Sequence, residues 1–215
     1  NATYAMTNMI LKLLKENKPD SILVVFDSKV PSFRHEISKD YKAQRKPMPD
    51  NLSVQVPYVK SVIGALGIPV LEIEGYEADD VIGTIVEGLR NEEVEIFIVT
   101  GDKDLMQFIG ENVYVYDTMK NVVYGEKEVE EKFGVSPSLM CDFLALSGDT
   151  SDNIPGIPGI GEKTARMLTR EFGSLEDIYE RIEDIKKDSL KEKLIRGKDF
   201  AFLSKRLATI KRDVP

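Results

Sequence analysis

Through its first 125 residues the chain alternates short apolar runs with segments of helical periodicity, and after about residue 126 the strand-like runs stop. This order constrains the fold more than any other feature. Strand–helix alternation predicts an α/β domain with a mostly parallel sheet covered by helices, and the remainder predicts an all-helical region. Met6, Met9, Ile10, Leu13 and Leu14 recur at helical spacing over residues 5–16. Residues 21–26 then read as a buried strand ending at Asp27. Residues 51–66 read as a helix with Val54, Tyr58, Val62 and Leu66 on one stripe, stopped by Gly67. Strands are expected at 69–73 and 95–100, helices at 77–90 and 103–109, and a hairpin at 113–116 and 122–124. Further helices are expected at 126–133, 137–147, 162–172, 175–182 and 199–207. Residues 28–49 are polar, basic and bounded by prolines, and read as an exposed excursion.

The residue inventory limits the chemistry. Cys141 is the only cysteine and His35 the only histidine. An internal disulfide is excluded, and histidine-based zinc sites, Ser-His-Asp triads and Cys-His pairs are poor hypotheses. Cys141 reads as a small buried hydrophobe. Carboxylates and metal remain for any chemistry. No apolar run approaches the ~20 residues that span a bilayer, and no signal peptide is visible. The net charge of −8 argues superficially against nucleic acid, but its distribution does not. Residues 29–46 hold six Lys/Arg against two acids, residues 72–153 five against twenty, and residues 154–215 fourteen against eleven. An acidic centre between basic flanks suits carboxylates that hold cations beside surfaces that hold phosphates.

Four acidic clusters fall at informative places. Asp27 ends the first strand. Glu77, Asp79 and Asp80 begin the helix after the second. Asp102 and Asp104 follow the third, and Asp149 and Asp152 lie in a Ser-Gly-Asp-Thr-Ser-Asp-Asn loop. Functional groups of open α/β sheets gather at the carboxyl ends of strands. Each cluster alone also has a structural explanation, because acids favour helix starts and Asp favours turns. Together they place eight carboxylates near one sheet edge, where repulsion calls for cations. Hard oxygen ligands select Mg²⁺, Mn²⁺ or Ca²⁺ over zinc. A carboxylate set without histidine suits two-metal phosphoryl transfer.

Lys29, Arg34, Lys39, Lys42, Arg45 and Lys46, with Phe33 and Tyr41 among them, could meet phosphates and stack on bases. Residues 154–166 are more specific. Gly156, Gly159 and Gly161 allow close backbone approach, a helix begins near Gly161, and Lys163 and Arg166 add positive charge. This pattern looks like a helix-hairpin-helix, which holds a DNA backbone without reading bases.

Several segments together resemble the 5′-nuclease domain of bacterial DNA polymerase I, within the flap-endonuclease superfamily. They are Val25-Phe26-Asp27 with Ser32-Phe33-Arg34-His35, Tyr41-Lys42-Ala43-Gln44-Arg45, Gly75-Tyr76-Glu77-Ala78-Asp79-Asp80, Thr100-Gly101-Asp102-Lys103-Asp104, and residues 146–153 running into 159–165. The resemblance covers essentially the whole chain. It implies a PIN-like core over residues 1–133, with a helical arch at about 28–49, and a helical region with the hairpin module over 134–215. It implies that Asp27, Glu77, Asp79 and Asp80 serve one metal site and Asp102, Asp104, Asp149 and Asp152 a second. Two Mg²⁺ ions, with Mn²⁺ as substitute, would be the cofactors. Arg34 and Lys42 would contact the scissile phosphate, and Arg45 is a further DNA-binding candidate. Gly156, Gly159, Gly161, Lys163, Thr164 and Arg166 would grip duplex DNA, and the resemblance also implies a K⁺ site at the hairpin. The implied substrates are 5′ flaps, nicked or gapped duplexes and RNA primers, cut by a monomer in the bacterial cytoplasm, with a polymerase attached in the intact protein. Family members begin with a strand ending in one more metal-binding Asp, and this chain matches only after it. That difference motivates an alternative, a DNA-binding module that does not cut. A haloacid-dehalogenase-type phosphatase needs an Asp-x-Asp where residues 27–29 read Asp-Ser-Lys, and a PIN-type ribonuclease would lack the hairpin.

Overall fold

Residues 2–215 are described by a computed structural model of the chain. The periodic N-terminal segment forms α1 (Ala2–Asn17), which buries Ile10. The next apolar run pairs over only two residues, β1 (Val24–Val25). The basic segment contributes one turn, α2 (Arg34–Ile37). The helix expected over residues 51–66 is split into α3 (Asp50–Ser53) and α4 (Val56–Ala65). Pro57 explains the split, since proline suits a first helical turn and opposes an interior one. β2 (Val70–Leu71) pairs in parallel with β1. The hydrophobic stripe of α1 meets α4, and Ile10, Ile63 and Ile68 form a small core with Met6, Leu14, Val59 and Phe26 around it.

A second, larger core starts at α5 (Ala78–Leu89). Glu77 caps it, and the Asp80 carboxylate returns to the Glu77 N–H at 3.2 Å. This reciprocal box satisfies amides that a helix start leaves open. β3 (Ile96–Val99) lies parallel to β4 (Val113–Asp117), which pairs antiparallel with β5 (Val122–Tyr124). Between β3 and β4 runs a 3₁₀ turn at Asp104–Phe108 that buries Leu105, Met106 and Phe108. The strands therefore form a two-stranded and a three-stranded sheet, and the single sheet expected from the sequence is not continuous among the described residues.

The helical half contains α6 (Glu126–Phe133), α7 (Met140–Ser147), α8 (Glu162–Phe172), α9 (Leu175–Glu180), α10 (Asp188–Arg196) and α11 (Lys198–Ala208). α7 is the hub, with Phe143, Leu144, Ala145 and Leu146 buried against α8 and α11. α10 was not expected: five of its nine residues are charged, and Leu194 alone is buried. The chain then returns to the first half. A Cβ on Gly83 of α5 would come within 2.8 Å of Lys211 O, so that glycine makes room for the C-terminal segment. No described helix is long and apolar enough to cross a membrane.

Candidate active site and nucleic-acid interface

The four acidic clusters face one region, and the basic segment is folded onto them. Tyr41 is buried and donates its hydroxyl to Glu77 Oε2 (3.1 Å) and Asp152 Oδ2 (3.2 Å). Lys42 Nζ lies 2.9 Å from Glu77 Oε2 and 3.5 Å from Asp152 Oδ2. Arg45 pairs with Asp152, and Lys103 Nζ with Asp149 Oδ1 at 3.0 Å. Further bonds tie the same segment to the acidic loop: Lys42 N–H reaches Asp152 O at 2.9 Å, and the Asn153 side-chain Nδ2 donates to Asp40 O at 2.6 Å. Residues 28–49 are therefore tied to the acidic loop and are not a wholly exposed excursion. Ser32, Arg34 and Tyr41 are buried, and the only helix there is α2. The sequence reading counted apolar residues, whereas the buried face here is polar and satisfied by partners far along the chain.

Two of the expected site residues, Arg34 and Asp80, engage each other inside the protein. Arg34 is 2% exposed. All five of its N–H groups are engaged, with Asp80, Glu77, Leu207 O and Thr209 O. Asp80 is fully buried. It accepts two bonds from Arg34 and one each from the Glu77 and Lys211 amides, which fills its lone-pair directions and leaves none for a metal. Burial alone would lower the Arg34 pKa, but hydrogen bonds and charge from Asp80, with Glu77, outweigh it and raise the value.

Asp79 and Asp104 are short of positive charge. Burial, then repulsion from Asp102, Asp27 and Glu77, pushes Asp79 up to about 7 against the pull of Lys42. Burial, then Asp102, Asp149 and Asp152, pushes Asp104 up to about 8. Asp104 Oδ1 is buried without a hydrogen-bond partner. Among the described residues no three of the His, Cys, Asp or Glu side chains already converge on one ion-sized point. Repulsion and the competing Lys and Arg partners account for that spread. An all-oxygen donor set, an orphaned carboxylate oxygen and two carboxyls inclined to hold protons fit a hard divalent cation. Asp27, Glu77, Asp79, Asp102, Asp104, Asp149 and Asp152 are the residues able to hold it.

The raised values have a sign. A carboxyl whose folded pKa exceeds the unfolded value of about 3.9 holds extra protons in the native state, so its contribution to stability falls as pH rises. For Asp79 and Asp104 the loss begins above about pH 4 and is complete only above about pH 8. Thermal unfolding in EDTA should therefore show a melting temperature that drops between pH 5.5 and 8.5, and millimolar Mg²⁺ should flatten the profile. A flat profile in EDTA would contradict the charge shortage.

The hairpin is built differently from the sequence expectation. Gly156 (φ +60°) is buried, donates its N–H to Ser204 Oγ at 2.9 Å and packs on the backbone of Ser147 and Gly148. It cannot meet DNA, and instead joins the hairpin to the acidic loop. That loop is closed by reciprocal Asp149–Ile154 backbone bonds of 2.9 and 2.8 Å. Gly159 (φ +80°) is exposed, and its carbonyl accepts from Lys193 Nζ at 3.2 Å, a residue of α10 that the sequence reading missed. Gly161 caps α8 with open space around its Cα, and Lys163 is exposed in the first turn. Arg166 bonds Phe133 O and packs on Gly134, which ties α8 to α6. The solvent-facing part of the hairpin is thus Gly159, Gly161, Lys163 and, partly exposed, Thr164.

Comparison with known proteins bears on this arrangement. Residues 1–134 match the family described as 5′-3′ exonuclease, N-terminal resolvase-like domain, and residues 135–215 match 5′-3′ exonuclease, C-terminal SAM fold. DNA polymerase I of Caldicellulosiruptor bescii is 49% identical over 100% of the chain and 26% of its own length. The 5′-3′ exonuclease of Buchnera aphidicola is 42% identical over 99% of the chain and 72% of its own length. The chain thus spans about a quarter of the DNA polymerase I relatives it matches. The flap endonuclease of bacteriophage T5, solved with DNA and metal ions, superposes with a TM-score of 0.80 at 24% identity, over 96% of this chain and 80% of that one, and shows the same fold.

Proposed function

The chain belongs to the 5′-3′ exonuclease family, and from that premise we propose that it is a structure-specific 5′-nuclease, cutting phosphodiester bonds of branched DNA with divalent metal ions. The observation that carries the reading is the charge-starved carboxylate cluster, above all the partnerless Asp104 Oδ1, set beside a hairpin with exposed backbone. Asp102, Asp104, Asp149 and Asp152 would hold one ion and Asp27, Glu77 and Asp79 another. Bound Mg²⁺, or Mn²⁺ in its place, would supply Lewis acidity at a phosphoryl oxygen and lower the pKa of water. Lys42 and Arg45, now paired with Glu77 and Asp152, are the cations free to turn to a phosphate once metal takes over those carboxylates. Burial beside Glu77 and Asp152 raises the Tyr41 phenol far above its ordinary value, so it stays a neutral donor that orients both acids.

Gly159, Gly161, Lys163 and Thr164 would hold duplex backbone. K⁺ at this hairpin would have to share Gly159 O with Lys193. The substrates would be 5′ flaps, nicked or gapped duplexes and RNA primers, handled by a monomer in a bacterial cytoplasm, with a polymerase in the intact protein as in the relatives. The test is a substrate panel in Mg²⁺: release of the 5′ strand from flap and nicked duplexes but not from a blunt duplex supports the reading, and equal cutting of all forms refutes structure specificity.

The hairpin has its own test. Gly161→Ala has no steric cost in the free protein, and Lys163→Ala touches no internal partner. Both should leave the melting temperature within about 1 °C. Duplex affinity in Ca²⁺ should fall several-fold irrespective of sequence, with a smaller salt slope for Lys163→Ala. Unchanged affinity would remove this hairpin from the interface.

A further inference from the structure

We propose that the Arg34–Asp80 pair is a positioning latch that fixes the register between the duplex-gripping hairpin and the carboxylate site, and so selects which phosphate is cut. The inference rests on the nuclease reading above. Three segments distant in sequence meet at this pair. Arg34 lies in α2, Asp80 in the first turn of α5, and Leu207 to Lys211 run from the last turn of α11 into the segment after it. The guanidinium grips the carboxylate at 2.7 and 2.8 Å and the carbonyls of Leu207 and Thr209 at 2.9 Å each. Asp80 in turn accepts the Lys211 amide at 2.8 Å.

α11 is the strut that makes this a register device. One turn before Leu207, Ser204 Oγ accepts the Gly156 N–H of the hairpin. A single helical turn therefore separates the bond that holds the hairpin from those that hold Arg34. At the other end of the latch, Asp80 shares a capping box with Glu77, which also receives Arg34 Nη1 at 3.4 Å. Glu77 carries Ser32, Tyr41 and Lys42, so its aim follows that of the latch. A planar fork with every donor and acceptor used permits little rotation. Neither residue is placed to touch a metal or a phosphate, so both act through others.

The test uses Arg34→Lys and Asp80→Asn on a labelled 5′-flap duplex. Lysine keeps the charge but cannot span a carboxylate and two carbonyls. We expect the unaltered chain to cut at one dominant phosphate. Both variants should spread cutting over neighbouring phosphates and lose at least tenfold in kcat. Their Kd in Ca²⁺ should stay within twofold and their half-saturating Mg²⁺ unchanged. An unaltered cut site at an unaltered rate would overturn the latch. So would an unaltered cut site with a tenfold higher Mg²⁺ requirement, which would make Asp80 a ligand. If Asp80→Asn fails to fold, Arg34→Lys decides. Hydrogen exchange supplies a readout independent of activity. The Lys211 amide should exchange at least tenfold faster in Arg34→Lys, and equal protection would overturn the proposal. If the unaltered chain cuts no flap, the nuclease reading fails, while the exchange result still decides the latch.

Discussion

Asp102→Ala will lower the rate of flap cleavage by at least about a hundredfold while leaving the Kd for flap duplex in Ca²⁺ within about twofold. It will also raise the melting temperature of the metal-free protein above pH 7. Both effects follow from one position. Asp102 is the largest repulsive charge on Asp79 and on Asp104, so it sits between the two carboxylate groups. Its own contacts are local: Oδ1 accepts the Asp104 N–H at 3.0 Å, and among the described residues no cation is paired with it. Removing it relieves repulsion that the native state otherwise endures, which stabilises, and removes an oxygen donor that a cation needs, which inactivates. A carboxylate kept for folding would show the opposite pairing of effects. Single-turnover cleavage with thermal unfolding in EDTA at pH 8 checks both, and a destabilised but active variant would take Asp102 out of the site.

Gly156→Ala will be the most damaging small substitution in the helical half, costing on the order of 3–5 kcal/mol and about 10 °C in melting temperature. The backbone there has φ +60°, where an L side chain is itself unfavourable by roughly 1–2 kcal/mol. A Cβ would also lie 2.6 Å from Ser147 C and 2.7 Å from Gly148 Cα, both backbone atoms that cannot swing aside. The displaced segment carries Asp149 and Asp152 on one side and Gly159 and Gly161 on the other, so cleavage and binding should fail together. Gly161→Ala, five residues on, meets nothing within 4 Å and should leave stability unchanged. Equal melting temperatures for the two variants would contradict the packing described.

The legible parts of the sequence were those whose signal is local. α6 and α8 run over the residues that periodicity and capping predict, because Gly134 and Gly161 mark their ends. The acids at strand ends were also visible, since a strand run and its terminal Asp lie side by side. The role of Arg34 was not. Its partners are more than forty residues away in α5 and more than 170 away in α11, and nothing in residues 28–49 distinguishes it from Lys39 or Lys46. Asp80 is hard to tell from its neighbour for a related reason: Asp79 and Asp80 are adjacent, yet one faces the carboxylate cluster and the other the C-terminal segment. Helical geometry separates neighbours by about 100°, and which of two acids turns inward depends on the tertiary partner. The strands proved shorter than their apolar runs because pairing requires a neighbour, and β1 and β2 have only each other among the described residues.

The proposed nuclease reading requires the carboxylate cluster to bind divalent metal and cut branched DNA. Its most direct test is a 5′-flap duplex incubated with the chain in Mg²⁺ and in EDTA, with binding followed separately in Ca²⁺. Cutting near the flap junction in Mg²⁺ only, with binding in Ca²⁺, is the expected result. Binding in Ca²⁺ with no cutting in Mg²⁺ would contradict it and leave a DNA-binding module in its place.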